Sequence, residues 1–238
     1  MKKIAIFLLT GVILLVAGVV QAEDATYYFN LGVKSSSTRK KIEYYTKALQ
    51  LNPGLADAYE KRGLLHYFQG NFDKVIQDYK TYLELAPGKA EAYLMIGIGY
   101  LKSRMYHPAI YYFTRAIELE PGFARAYANR AEAHRLSGLD EDAIRDSSKA
   151  IQLRGDLRSK ADAYRTRARI YRKLGHMELA LEDTRAAMRV DPRVPRFWRY
   201  YLNYASPEQL RAVAPFFIIA IALVLIFGLR LKPPKNDD

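Results

Sequence analysis

The residues in this 238-residue chain best suited to chemistry are four histidines, one run of carboxylates and one stripe of cations. His66, His107, His134 and His176 lie far apart in sequence, and the chain has no cysteine. A zinc site draws three or four His, Cys or carboxylate ligands to one point, which such spacing does not suggest. No His-Glu-X-X-His, no Gly-X-Ser-X-Gly and no glycine-rich phosphate loop occurs. The carboxylate run, Asp140-Glu141-Asp142, follows Leu139 at the expected start of a helix, where acidic side chains favour the helix dipole. Arg154-Gly155-Asp156 spells a cell-adhesion tripeptide but falls in a widened turn, where the glycine is expected to act as a helix stop. The sequence therefore gives no catalytic, metal-binding or cofactor-binding residue, and the chain is expected not to be an enzyme. The cations are different. Arg165, Arg169, Arg172 and Lys173 stand at i, i+4, i+7 and i+8, one face of a helix. Guanidinium groups so placed are able to hold acidic side chains, a terminal carboxylate or anionic headgroups through forked hydrogen bonds.

What would position that stripe is a repeated unit. Pro53, Pro87 and Pro121 are 34 residues apart, each ending an apolar helical run: ALQLNPG, YLELAPG, AIELEPG. The aromatic after each break keeps step, as Tyr59, Tyr93 and Tyr127, then Tyr164 and Trp198 after a three-residue insertion near 154–159. Four residues on comes a small residue (Gly32, Gly63, Gly97, Ala131, Ala168), and three further a ring (His66, Tyr100, His134, Tyr171). In the second half of the unit, Ala109, Ala143 and Ala180 precede Phe113, Ser147 and Thr184, then Ala116, Ala150 and Ala187. Spacings of four and three mark one helix face, so each unit reads as two amphipathic helices joined near Gly70, Arg104, Gly138 or Gly175.

With these columns in register, the chain resembles the tetratricopeptide repeat family, whose 34-residue helix-turn-helix has the same alternation of ring, small residue and proline. The resemblance implies an all-α solenoid of helical hairpins with about five repeats and a capping helix. The units run over 23–54, 55–88, 89–122, 123–157 and 158–193, with a capping helix and connector over 194–211. The first unit is three residues short and has Ser35, Ser36 and Ser37 where a helical turn belongs, which argues against a regular first helix. In the last, Thr184 replaces a ring, so a looser contact is expected there. The resemblance also sets His66 and His134 two repeats apart in one packing column, too far to share a metal.

In this family the first helices line a groove that takes a partner's peptide or helix. The resemblance therefore implies a partner-binding surface at Leu64, Tyr67, Phe68, Leu94, Ile98, Arg135, Arg165, Arg169, Arg172 and Lys173. Its character changes from apolar and aromatic to cationic along the stack. Leu64, Leu94 and Ile98 have a competing use, sealing neighbouring first helices together. The Lys and Asn pattern with which some family members grip acidic chaperone tails is absent, since Glu60, Leu64, Leu94 and Ile98 occupy its positions.

Both ends carry membrane signals. Residues 1–22 have a two-lysine start, an apolar run from Ile4 to Val20 and a Val-Gln-Ala close, the layout of a secretory signal peptide or an uncleaved anchor. Ala212 to Leu229 is 18 residues without a charge. A helix needs about 20 mostly apolar residues to cross a membrane, so 212–230 is expected to be a transmembrane helix and 231–238 a short cytoplasmic tail. The localisation these signals imply is a cytoplasmic membrane, with the repeats on its outer, periplasmic side. The net charge of +12 and the interleaved arginines and aromatics would also suit nucleic acid. Export argues against that, and a cytoplasm-facing regulator or nucleic-acid adaptor is the alternative. The partners expected are a protein or peptide segment in the groove and the membrane at the C-terminal helix, with self-association left open.

Overall fold

The computed structural model of the chain describes residues 25–191. The expected signal segment, capping helix, transmembrane helix and tail lie outside them. Ten helices are present among the described residues, with α1 seen over 25–34. The others are α2 (Thr38–Leu51), α3 (Ala56–Phe68), α4 (Phe72–Leu85), α5 (Ala90–Lys102), α6 (Tyr106–Leu119), α7 (Ala124–Leu136), α8 (Asp140–Gln152), α9 (Leu157–Lys173) and α10 (Met177–Val190). They pair as α3/α4 through α9/α10, with α1 set against α2 where Gly32 and Phe29 meet Tyr45, and each packs mainly on the helices before and after it in sequence, while α7 and α9 also touch directly. The architecture is thus an all-α stack of five helical hairpins. None of these helices is long and apolar enough to cross a membrane.

The turn inside each unit explains the punctuation. Gly70, Gly138 and Gly175 have φ of 76°, 84° and 83°, and Arg104 takes the same left-handed conformation at 62°. The next residue's N–H closes back onto the last turn of the first helix, from Asn71 to the His66 carbonyl at 2.9 Å and likewise Met105 to Tyr100, Leu139 to His134 and His176 to Tyr171. This is a Schellman turn, which satisfies helix-end carbonyls and favours glycine at its left-handed position.

Pairing within a hairpin is a matter of volume. A Cβ added to Gly97 would lie 2.5 Å from the Phe113 ring, one on Gly63 would lie 2.9 Å from Tyr79, and one on Gly32 would lie 2.5 Å from Tyr45. Where the ring is replaced by Ser147 or Thr184, the glycine is replaced by Ala131 or Ala168, and all four are buried. The added methyl fills part of what the missing ring leaves, and in the fifth unit Ala168 and Thr184 both stay buried.

Two local expectations need correcting. The first unit has a regular helix over 25–34 despite its serines. The serines form the turn instead, and the Ser37 side chain caps α2 by accepting from the Lys40 N–H. The three missing residues are therefore taken from the end of α1, which stops two residues after Gly32 where α3 runs five beyond Gly63, while the turn keeps its three residues. In the widened turn, Leu153 rather than Gly155 ends α8. Gly155 is there because its Cα passes against α7, where an added Cβ would lie 2.5 Å from the Ala124 methyl. Asp156 caps α9 by accepting from the Ser159 N–H and hydroxyl, at 2.9 and 2.6 Å.

Candidate partner-binding face

The first helices α3, α5, α7 and α9 occupy equivalent places in successive hairpins. Direct bonds show that their corresponding faces adjoin: Arg125 of α7 pairs with Glu91 of α5, and Thr166 and Arg169 of α9 reach Glu132 of α7. The residues expected to bind a partner fall into three groups on these helices.

The first group is exposed. Phe68 has 72% and Leu64 38% of its surface open to solvent, and the Tyr67 ring, half-buried against the core, meets Phe68 edge-on at 5.5 Å. The second group is not available. Leu94 and Ile98, expected on the binding surface, are 0% and 7% exposed and belong to the core. The cause is that α5 has glycine on two sides. Gly97 admits Phe113 of α6, while a Cβ on Gly99 would lie 2.6 Å from Ile76 of α4. The helix sinks between its neighbours and is buried from Leu94 to Gly99 without a break. The uncharged run from Ala92 to Leu101 was the sequence signal for a helix buried all round.

The third group is the cations, of which Arg135, Arg165, Arg169 and Lys173 are engaged with carboxylates of this chain. Glu132 accepts two bonds from Arg135, both 2.8 Å, one from the Thr166 hydroxyl at 3.0 Å and a longer one from Arg169 at 3.4 Å. Burial pushes the Glu132 carboxyl up, but the Arg135 hydrogen bond and the charges of Arg135 and Arg169 outweigh it and hold the group below the usual range. Arg165 pairs with Asp162, and Lys173 with Asp140 at the start of α8. Arg169 is the least tightly held of these, half-exposed with its one long bond to an already satisfied carboxylate. Burial pushes the Arg165 guanidinium down, and the adjoining charges of Arg169 and Arg158 push the same way, against the pull of Asp191 and Glu132. The stripe therefore carries an excess of positive charge, but not four free cations.

A further set of residues escaped the sequence reading. Arg62, Arg130 and Arg167 each grip an aspartate 16 residues later on the second helix of the hairpin: Asp78, Asp146 and Asp183. Both oxygens of each carboxylate are used, at 2.6 to 3.0 Å. Each arginine also donates to a hydroxyl of the preceding hairpin, Thr46, Thr114 or Ser148, and lies over the ring of Tyr59, Tyr127 or Tyr164. The signal was a second constant spacing in the same register. In the third unit the pair becomes Ile96 and Tyr112, and Lys80 takes the hydroxyl's place, bonded to the Tyr100 hydroxyl at 2.9 Å. His66 and His134 pack beside Asp78 and Asp146 as part of this buried layer.

Comparison with known proteins accords with this architecture. Tetratricopeptide repeat profiles match residues 56–89, 94–156 and 161–193. A tetratricopeptide repeat protein 36 homolog of Drosophila melanogaster is 39% identical over 70 residues, which span 29% of this chain and 38% of that protein. Among solved structures, a MamA protein superposes with a TM-score of 0.63 at 22% identity, over 77% of this chain and 97% of its own. YrrB, described as a TPR protein with an unusual peptide-binding site, superposes with a TM-score of 0.60 at 22% identity, over 75% and 92%. The repeat period, the ring-into-glycine packing and the matched profiles lead to one conclusion: this chain belongs to the tetratricopeptide repeat family.

Proposed function

We propose that this protein is a membrane-tethered scaffold that holds a segment of a partner protein along the face shared by α3, α5, α7 and α9, in the assembly or organisation of a cell-envelope complex. The observation that carries the reading is the apolar group of exposed Leu64 and Phe68 with half-buried Tyr67, beside a polar face whose charges are fixed by internal ion pairs. A preformed surface of this kind binds without first ordering itself, which lowers the entropic cost of capture. That YrrB carries a peptide-binding site in a stack of similar fold supports the mode of recognition. The tether rests on sequence: the apolar stretch from Ala212 to Leu229 and the signal-like start at 1–22. A tether confines scaffold and partner to one surface and raises their effective concentration. The work is recognition rather than catalysis.

A photoreactive residue at Tyr67 in native membranes is expected to trap one or a few envelope proteins, and the same residue at Tyr111, on a second helix, is not. Equal trapping from both positions would count against the first-helix face. Protease added to intact spheroplasts is expected to cut the repeats; full protection would end the outward-facing reading.

A further inference from the structure

The polar residues of the first-helix face are not mixed at random. On α3 the face carries Asp57 and Glu60, with Lys61 bound to Glu60 at 3.3 Å, and α5 balances Glu91 against Lys102 at its end. On α9 it carries Arg165, Arg169, Arg172 and Lys173 against Asp162. Between them, α7 mixes the signs as Arg125, Glu132 and Arg135. The face therefore runs from acidic to basic over three steps of the stack. Groups packed along it, buried or partly buried, feel opposite charges at its two ends. The Tyr79 phenol is pushed up by burial and then by Glu60 and Glu91, and Tyr82 by burial and then by Glu60 and Asp57. At the far end Arg165 is pushed down by burial and then by Arg169. The apolar group is also placed asymmetrically, since Leu64 and Phe68 follow the carboxylates on α3 while α9 has no exposed apolar counterpart on its stripe.

We infer that the partner segment is charge-polar. One of its ends carries a Lys or Arg beside a large apolar side chain and meets Asp57, Glu60, Leu64 and Phe68; its other end carries a carboxylate and meets Arg165 and Arg169. This rests on the groove reading above and adds the partner's chemistry and its direction of lie. Neighbouring helices pack about 8–10 Å apart, so three steps span roughly 30 Å. An extended chain covers that with roughly nine or ten residues. A segment acidic at both ends would meet like charge at α3, and one basic at both ends would meet it at α9; such juxtaposition disfavours wrong partners more than it strengthens the right one.

The test is selection of twelve-residue peptides from a random display library on the full chain, with two variants selected in parallel. Peptides enriched by the native protein are expected to pair a cation and an apolar residue at one end with Asp or Glu at the other. Arg165→Gln with Arg169→Gln is expected to abolish the preference for the acidic end while keeping the other, and to weaken the best peptide roughly tenfold, as loss of a charge-assisted bond does. Asp57→Asn with Glu60→Gln is expected to do the converse. These conservative changes leave both helices' packing residues in place, and a circular dichroism spectrum confirms it. Enriched peptides without separated charges, or with preferences unmoved by either variant, would overturn the polarity and leave the groove standing. No enrichment at all would overturn the groove and the polarity together.

Discussion

At the scale of single residues, the most exacting position is Gly97, because Phe113 occupies the space its side chain would take and is itself fully buried. Gly97→Ala is expected to lower stability by about 1–3 kcal/mol, the usual consequence of overpacking a filled core. Adding Phe113→Leu should return part of it, because the smaller side chain leaves room for the methyl. Urea unfolding followed by circular dichroism measures both, and an unchanged midpoint for Gly97→Ala would show that the ring yields freely. The two packed histidines lead to a pH effect. Burial holds His66 and His134 below the usual imidazole range. It prevails over Asp78 and the Gln69 hydrogen bond at the first, and over Asp146 and Asp142 at the second, while Lys74, Arg62, Arg130 and Arg145 push the same way as burial. An unfolded imidazole titrates near 6.5, so below about pH 6.5 the unfolded chain takes up protons that the folded chain refuses. Stability is thus whole above that pH and falls as the pH drops toward the lowered folded value. His134→Tyr, the residue found in this column at Tyr100 and Tyr171, is expected to flatten the decline between pH 7 and 5. An unaltered slope would place the acid sensitivity elsewhere.

At the scale of elements, what joins one helix to the next differs along the chain. The third hairpin is held by apolar packing, with Leu94, Ile96 and Phe113 fully buried. The second, fourth and fifth insert an arginine between two helices of their own hairpin and a hydroxyl of the one before. Removing one member of a buried pair strands the other, at a cost of about 3–5 kcal/mol, whereas replacing both by packed side chains is often neutral. Asp146→Ala should therefore damage the fourth hairpin more than Arg130→Ile combined with Asp146→Tyr, which copies the Ile96 and Tyr112 of the third. Thermal unfolding of the two variants decides this, and equal losses would mean that the pair contributes through packing alone. The helix boundaries were legible from Pro53, Pro87, Pro121 and the turn glycines because a missing N–H or a left-handed φ is a local matter. The Arg–Asp pairs were not, since a spacing of 16 residues acquires meaning only when two helices are folded against each other.

For the described stack as a whole, stability should be uneven, because each hairpin touches only its neighbours and a repeat array unfolds locally as well as globally. The larger core cluster runs from Val75 to Ala133 and centres on α5 and α6, while the cluster farther along rests on Ala128, Ala150 and Ala163. Native-state hydrogen exchange should accordingly be slowest in α5 and α6 and faster in α9 and α10. Protection highest in α9 would mean that the ion pairs, not the apolar core, govern opening.

The sequence alone determined the repeat, the order of helices from α2 to α10 and the column of rings facing small residues, since each follows from local backbone preference and from periods of three and four along a helix; the regularity of α1 it did not show. It also fixed which helix would carry the cations. Only the tertiary structure decided that Leu94 and Ile98 sink from sight while Leu64 and Phe68 stay open, because burial depends on how closely glycines 97 and 99 let α4 and α6 approach. It decided too that the stripe on α9 is partly neutralised by Glu132, Asp140 and Asp162, two of them on other helices. Charge balance is a property of side chains brought together in space, and no period along the chain records it.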